Sequence, residues 1–262
     1  LGGYELFLES NEELYETCLK SQDLVNKLLQ PVFKDNVFSL KENSFNFRQI
    51  KSKYSFNQFE GQIDTGKMME ILLSKAQEEG IKILNNCTVK QFDDDVNGVK
   101  VETNNFEFTT KNLLIATNGF ATKLIEQPVK PARAQVLITK PIKDLQIKGT
   151  FHLDEGYYYF RNINNRILFG GGRNLDFKTE ETSEFGETEI IQHKLEELLK
   201  TTILPNINFE IDHSWSGIMG VGQQKKAIVK QISNHVYCGV RLGGMGVAIG
   251  SLVGKELAYL LK

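Results

Sequence analysis

The closing stretch Val236 to Lys262, VYCGVRLGGMGVAIGSLVGKELAYLLK, holds the residues whose types and spacing speak most directly of chemistry. A short apolar strand runs into Gly243, Gly244 and Gly246, and a helix is predicted to start near Met245. Glycine lets a backbone turn tightly and approach a ligand with no Cβ in the way. The first N–H groups of a helix have no acceptor inside it, and its dipole is positive at that end. Such a junction seats an electron-rich group: a phosphate, a carboxylate or the pyrimidine carbonyl edge of a flavin. Gly246, Gly250 and Gly254 recur every four residues, with Ala258 continuing the line, so one stripe of the helix has almost no side chain. Helix-on-sheet packing accounts for Gly250 and Gly254. Three glycines at one junction exceed what a turn requires, so Gly243, Gly244 and Gly246 are read as facing a ligand.

Ala116 to Gly119 is a similar strand end, and in open α/β sheets ligands lie beyond the carboxyl ends of strands; an ordinary turn explains it equally well. The segment Gly156 to Arg173, GYYYFRNINNRILFGGGR, puts Tyr157 and Tyr159 on one strand face and Tyr158 and Phe160 on the other, with Arg161 close by. That face is either the wall of a substrate pocket or a half-buried strand rich in good β formers. Trp215, the only tryptophan, stands in HSWSGIMG and suits a core role as well as a binding one. The four histidines, His152, His193, His213 and His235, share no ligand spacing, and no HExxH or GxSxG is present. Metal-dependent and serine hydrolases therefore lose support.

The elements that must carry these residues read as a mixture of α and β. Ser10 or Asn11 caps a helix running to about Gln30, where Pro31 ends it. Val37 to Phe59 suggests short antiparallel strands, and Thr65 to Glu79 a helix stopped by Gly80. Ile81 to Leu84, Thr88 to Phe92, Gly98 to Thr103 and Phe106 to Thr110 have the period of short strands, with a turn at Asn104-Asn105. Leu113 to Ala116 is a continuous apolar strand, as expected when both faces are buried. Strands follow at Ala132 to Thr139, Gly149 to Leu153, Tyr157 to Asn162 and Arg166 to Phe169, with a hairpin loop in NINN, then a helix over Glu184 to Leu204. Strands near Phe209 to Trp215 and Ala227 to Ile232 precede the closing strand and helix.

A chain of 262 residues with 40% apolar and 10% aromatic content buries a substantial core in one large domain or two intertwined ones. A net charge of -2 leaves no electrostatic footprint for nucleic acid or an anionic membrane. Cys18, Cys87 and Cys238 lie far apart with no CxxC spacing, so reduced thiols in a cytoplasm are the plain reading. No stretch is long and apolar enough to span a membrane. The chain begins at Leu1 and not Met, so a fragment is expected.

Taken in order, GQIDTGKMMEILLSKAQEEGIKILNNCTVKQF, LLIATNGFAT, PARAQVLITKPI, YYYFRNINNRILFGGGR, HSWSGIMG and VYCGVRLGGMGVAIGSLVGKELA resemble the FAD-dependent D-amino acid oxidase superfamily, over roughly residues 60 to 262. That superfamily includes glycine oxidase, sarcosine oxidase and the γ-glutamylputrescine oxidoreductases. The resemblance implies an α+β or α/β chain. A partial FAD-binding domain of the glutathione-reductase-like kind would take residues 60–126 and 213–262, and an antiparallel-sheet substrate domain residues 1–59 and 127–212. It further implies that Gly243, Gly244, Met245, Gly246 and Val247 lie beside the isoalloxazine, the helix N-terminus facing its C2 carbonyl and N1. Val89 matches a position whose backbone meets the adenine, and Ala116 and Gly119 match a turn passing near the dinucleotide. Arg133 and Gln135 stand in a Pro-x-Arg-Gly-Gln element in which Ala134 replaces the glycine.

Three departures from the family pattern shape the expectation. The pyrophosphate-binding GxGxxG is missing, so the chain is expected to hold FAD incompletely. Ile218 and Met219 stand where amino-acid oxidases of the family carry an arginine for the substrate carboxylate, which points toward an amine unless Arg161 substitutes. No cysteine lies where sarcosine oxidases attach flavin, so FAD is expected to be non-covalent. The resemblance thus implies hydride transfer to flavin from a small-molecule amine or amino acid, with Tyr159, Arg161, Trp215 and Met219 as substrate-binding residues and no assigned acid–base pair. Oxidation of a 2-hydroxy acid, modification of tRNA, and a non-catalytic protein that kept the fold are the alternatives. The oligomeric state is left open.

Overall fold

The NINN segment closes the hairpin of β10 (Tyr158–Ile163) and β11 (Arg166–Gly171), with Ile163 opposite Arg166 and both Asn164 and Asn165 in the left-handed region at φ 48 and 58. Two successive left-handed residues make the turn whose twist matches that of paired strands, and asparagine tolerates the conformation. The computed structural model describes residues 2–262, and this hairpin lies in the first of two compact units. That unit takes Leu1–Leu73, Gln135–Leu175 and Gly186–Ser216; the second takes Ser74–Ala134, Asp176–Phe185 and Gly217–Lys262.

The hairpin belongs to an eight-stranded sheet ordered β12-β8-β11-β10-β9-β1-β3-β2. Its strands are β1 (Gly3–Leu6), β2 (Phe38–Glu42), β3 (Lys53–Asn57), β8 (Lys130–Thr139), β9 (Thr150–Leu153), β10, β11 and β12 (Ile211–Val221). β1 pairs parallel with β9, while β1 with β3, β9 with β10, and β11 with β8 are antiparallel. Alternation along β10 sorts its side chains: Tyr158 and Phe160 are buried, Tyr159 and Arg161 half-buried on the opposite face. Phe160 stacks on Phe151 with centroids 4.6 Å apart and takes Phe169 edge-on, an aromatic centre that Ile191, Leu195 and Leu199 complete. Each such ring pair adds roughly 0.5–1.5 kcal/mol beyond its buried area.

Several local expectations are corrected. β1 is not foreseen from GYEL, because four residues show too little period and the pairing with β3 and β9 decides the conformation. α1 (Glu12–Phe33) has the Asn11 side chain capping the N–H of Leu14, but it runs through Pro31. A proline in the last turn removes one donor, and the helix closes at Lys34, φ 60, whose N–H reaches the carbonyl of Gln30. α3 (Glu189–Leu198) starts five residues later than predicted because Thr188 is extended, its N–H held by Gln135 Oε1 at 3.0 Å. It passes into a wider turn over Leu199–Ile203.

α2 (Thr65–Glu78) ends as its glycine predicts. Gly80 takes φ +77, its N–H bonds Gln77 and that of Ile81 bonds Ala76, the paired closure of a left-handed helix stop. In the second unit, β4 (Val89–Asp95), β5 (Gly98–Thr103) and β6 (Glu107–Thr110) form an antiparallel meander. The Asn104-Asn105 turn is tied by Thr103, whose hydroxyl accepts from both Asn105 and Phe106 N–H groups. The strand predicted at Ile81 to Leu84 is absent; the segment is irregular, with Ile81 and Leu84 exposed and no strand pairing with them among the described residues. A β period needs a neighbouring strand to become a strand.

A second sheet of three strands is ordered β13 (Ile228–Gln231), β14 (Val236–Val240), β7 (Leu113–Ile115). β14 is buried throughout and runs parallel to β7. β7 lies at the edge, and Leu114 is exposed, so the strand predicted to be buried on both faces is buried on one. α4 (Gly246–Tyr259) lies over β14, with Val253 and Leu257 packed on Gly239. Its glycine stripe is not the packing face: a Cβ at Gly250 or Gly254 would meet nothing within 4 Å. Among the described residues no helix is long and apolar enough to cross a membrane.

Candidate functional site

Three strand ends meet at the start of α4, all within the second unit. β14 ends at Val240, and Arg241 turns the chain through φ +63, a conformation that a residue with a Cβ adopts only under constraint. The constraint is visible. The buried guanidinium donates from Nε to the carbonyl of Lys226 at 2.8 Å and from Nη1 to that of Pro128 at 3.1 Å. Leu242 N–H then donates to Asn118 Oδ1 at 3.0 Å, and Gly243 N–H to the carbonyl of Gly220 on β12 at 2.9 Å. Gly243 takes φ +60, which glycine adopts without strain.

Beyond these tethers the turn changes character. Met245 N–H closes onto Leu242, while the N–H groups of Gly244, Gly246 and Val247 have no acceptor among the described residues. A Cβ at Gly243 or Gly244 would meet nothing within 4 Å, and Val247 is exposed. Three free donors at the positive end of a helix, over a bare backbone, make a seat for an acceptor-rich edge.

β7 delivers the neighbouring turn. Ala116 and Thr117 are exposed, Asn118 sits at φ +49, and Gly119 is buried where a Cβ would collide with the carbonyl of Met219. Gly119, Met219 and the Gly243 to Val247 turn are thus brought together, and Ala116 leads into the same corner. Val89 lies apart, on the β4–β5–β6 meander, opposite Thr103.

In the first unit Tyr159 and Arg161 share one face of β10. The Tyr159 hydroxyl end lies over Gly170, where a Cβ would stand 2.8 Å from the phenol oxygen, and burial pushes its pKa up from the ordinary tyrosine value. Arg161 donates from Nη1 to the carbonyl of Ile63 at 2.6 Å. Trp215 is exposed on β12, stacked on His213 with centroids 5.1 Å apart, and three strand spacings from β10, about 14 Å. Two residues of the Pro-x-Arg-Gly-Gln-like element serve as anchors: Arg133 pairs with Glu180, and Gln135 holds the Thr188 cap. Cys238 is fully buried in β14 and burial pushes its thiol pKa up, which keeps it protonated.

Asn118, Gly220 and Arg241 escape the sequence reading. Thr-Asn-Gly at a strand end is a signal for a left-handed turn, so Asn118 was within reach; nothing local marks Gly220 or Arg241, whose partners are more than ten residues away.

A glycine-rich strand-to-helix turn over a parallel strand pair, in a chain that also carries a broad aromatic-cored mixed sheet, is the layout of the mixed α/β FAD-binding oxidoreductases. The chain belongs to the FAD-dependent oxidoreductase (DAO) family, whose model, described as FAD dependent oxidoreductase, matches residues 42–260. It is 22% identical over 195 residues to the probable oxidoreductase OrdL of Haemophilus influenzae, covering 68% of this chain and 42% of that protein. It therefore spans about two fifths of the length of this curated relative. Its fold is similar to L-proline dehydrogenase from P. horikoshii, with a TM-score of 0.76 at 21% identity, over 99% of this chain and 72% of that one. Glycine oxidase from Geobacillus kaustophilus gives a TM-score of 0.79 at 16% identity over 98% and 69% of the two chains. Glycine oxidase from Bacillus cereus gives 0.80 at 15% over 98% and 72%.

Proposed function

We propose that the protein oxidises a C–N bond of a small amine or amino acid, with non-covalently held FAD as the electron acceptor. The carrying observation is the set of N–H groups on Gly244, Gly246 and Val247 without an acceptor among the described residues, beside the open Gly243–Gly244 turn, which fits the carbonyl-bearing edge of a flavin. When bound, FAD supplies a two-electron acceptor for the hydride leaving the carbon that bears the amine, and water hydrolyses the resulting imine.

In this reading Gly243, Gly244, Met245, Gly246 and Val247 border the flavin ring, with Ala116, Gly119 and Val89 along the dinucleotide. Negative charge gained by the ring on reduction is stabilised by the donors and dipole of α4. Tyr159, Arg161, Trp215 and Met219 contact substrate. Met219 offers no charge to a carboxylate, and Arg161 is already engaged by Ile63, which favours an amine over a simple α-amino acid. Cys238, enclosed in β14, supports non-covalent attachment.

The experiment is a panel of amines and α-amino acids added without oxygen to the full-length protein, following loss of the flavin's visible absorbance. Bleaching by amines is expected. Bleaching by α-amino acids alone would overturn the preference for amines, and a colourless protein that takes up no FAD would overturn the reading as a whole.

A further inference from the structure

The turn that begins α4 does not hold itself in place. Its first residue, Arg241, and its third, Gly243, both have positive φ, and Leu242 lies between them. Arg241 is restrained by two carbonyls and Gly243 by one. The remaining tether is a single side chain: Asn118 Oδ1, accepting from Leu242 N–H at 3.0 Å. Asn118 is itself left-handed at φ +49, which aims its amide across β12, and Gly220 lacks the Cβ that would strike that amide oxygen. Two successive N–H groups, those of Leu242 and Gly243, are thereby fixed just ahead of the three that remain free.

We propose that Asn118 is a positioning residue for the flavin: its amide oxygen, through Leu242, sets the direction in which the Gly244, Gly246 and Val247 N–H groups point. The inference rests on the flavin reading above. Without the amide, Leu242 N–H has to find water or another carbonyl, and the turn relaxes toward less strained dihedrals. The free donors then swing off a planar acceptor edge whose recognition needs them aligned. Asparagine and glycine both adopt this left-handed φ, so the backbone turn alone does not call for the amide that Leu242 uses.

The test uses the full-length protein with Asn118→Gly, which keeps the left-handed backbone and removes only the amide, and Asn118→Asp, which keeps the acceptor oxygen. Three quantities are read: FAD dissociation constant, affinity of the oxidised flavin for sulfite, which rises with positive potential near the ring's pyrimidine edge, and thermal unfolding of the FAD-free protein. In Asn118→Gly both affinities fall about tenfold while the melting temperature of the FAD-free protein is unchanged. Asn118→Asp recovers most of the FAD affinity. Wild-type FAD and sulfite affinities in the glycine variant would overturn the proposal and leave the flavin reading standing. A lowered melting temperature with unchanged sulfite affinity would show a merely structural residue, and an aspartate variant as weak as glycine would remove the acceptor from the explanation. A wild-type protein that binds no FAD would overturn both.

Discussion

Arg133 and Glu180 form a buried, bidentate ion pair: Nε donates to Oε2 at 2.8 Å and Nη2 to Oε1 at 2.9 Å, with the carboxylate fully enclosed. The backbone repeats the link, Arg133 N–H donating to the carbonyl of Glu180 at 2.8 Å. The pair ties the Asp176–Phe185 segment to β8 within the second unit. Charge-assisted, two-pronged hydrogen bonds of this kind bring geometric order as well as attraction.

Removing the guanidinium alone leaves a buried carboxylate without its cation, so Arg133→Met is expected to cost about 3–5 kcal/mol in urea unfolding. The double change Arg133→Met with Glu180→Leu costs markedly less, because both desolvated charges go together. Equal losses in the single and double variants would refute this account.

Tyr158 provides a pH signature. Burial, helped by the negative charges of Asp154 and Glu197, pushes its pKa up to about 12. The folded state thus holds a proton that the unfolded chain releases near 10. The associated stability is complete below pH 10 and is lost as pH rises through 12. Unfolding midpoints measured from pH 9 to 12 should fall less steeply in Tyr158→Phe than in the wild type; parallel curves would count against it.

Gly119→Ala tests the corner between β7 and β12. A Cβ there collides with the carbonyl of Met219 and presses Ile218 Cγ2 at 3.1 Å, and backbone cannot yield as a side chain does. A loss of about 1–3 kcal/mol is expected, with weaker FAD retention in the full-length protein. Unchanged melting and unchanged flavin content together would show that the corner is looser than it looks.

Met219→Arg tests the proposed preference for amines at this position. A guanidinium there supplies a partner for a substrate carboxylate, so kcat/KM for α-amino acids relative to amines should rise about tenfold or more. A ratio that stays put would move specificity away from Met219.

Several turns and helix ends are legible in local sequence. Gly243, Gly244 and Gly246 announce a bare strand-to-helix turn, Asn164-Asn165 a tight hairpin, and Gly80 a helix stop, because each depends on dihedrals that few residue types adopt. The alternation along Tyr157 to Phe160 likewise sorts these side chains onto two faces, and the packing decides that Tyr158 and Phe160 enter the core. Local pattern fails where the decisive partner is distant. Among the described residues Ile81 to Leu84 has the period of a strand but no paired neighbour, α1 runs on through Pro31 because its last turn does not need that donor, and a Cβ at Gly250 or Gly254 of α4 would meet nothing within 4 Å.

What the amino-acid sequence determined on its own is therefore the family, the mixed α/β class and the place of the glycine turn, since these follow from residue types at fixed spacing. Which way that turn faces was decided by tertiary structure alone. The carbonyls of Pro128, Gly220 and Lys226 and the amide of Asn118 come from separate stretches of chain. Hydrogen bonds act over about 3 Å in space whatever the separation along the chain.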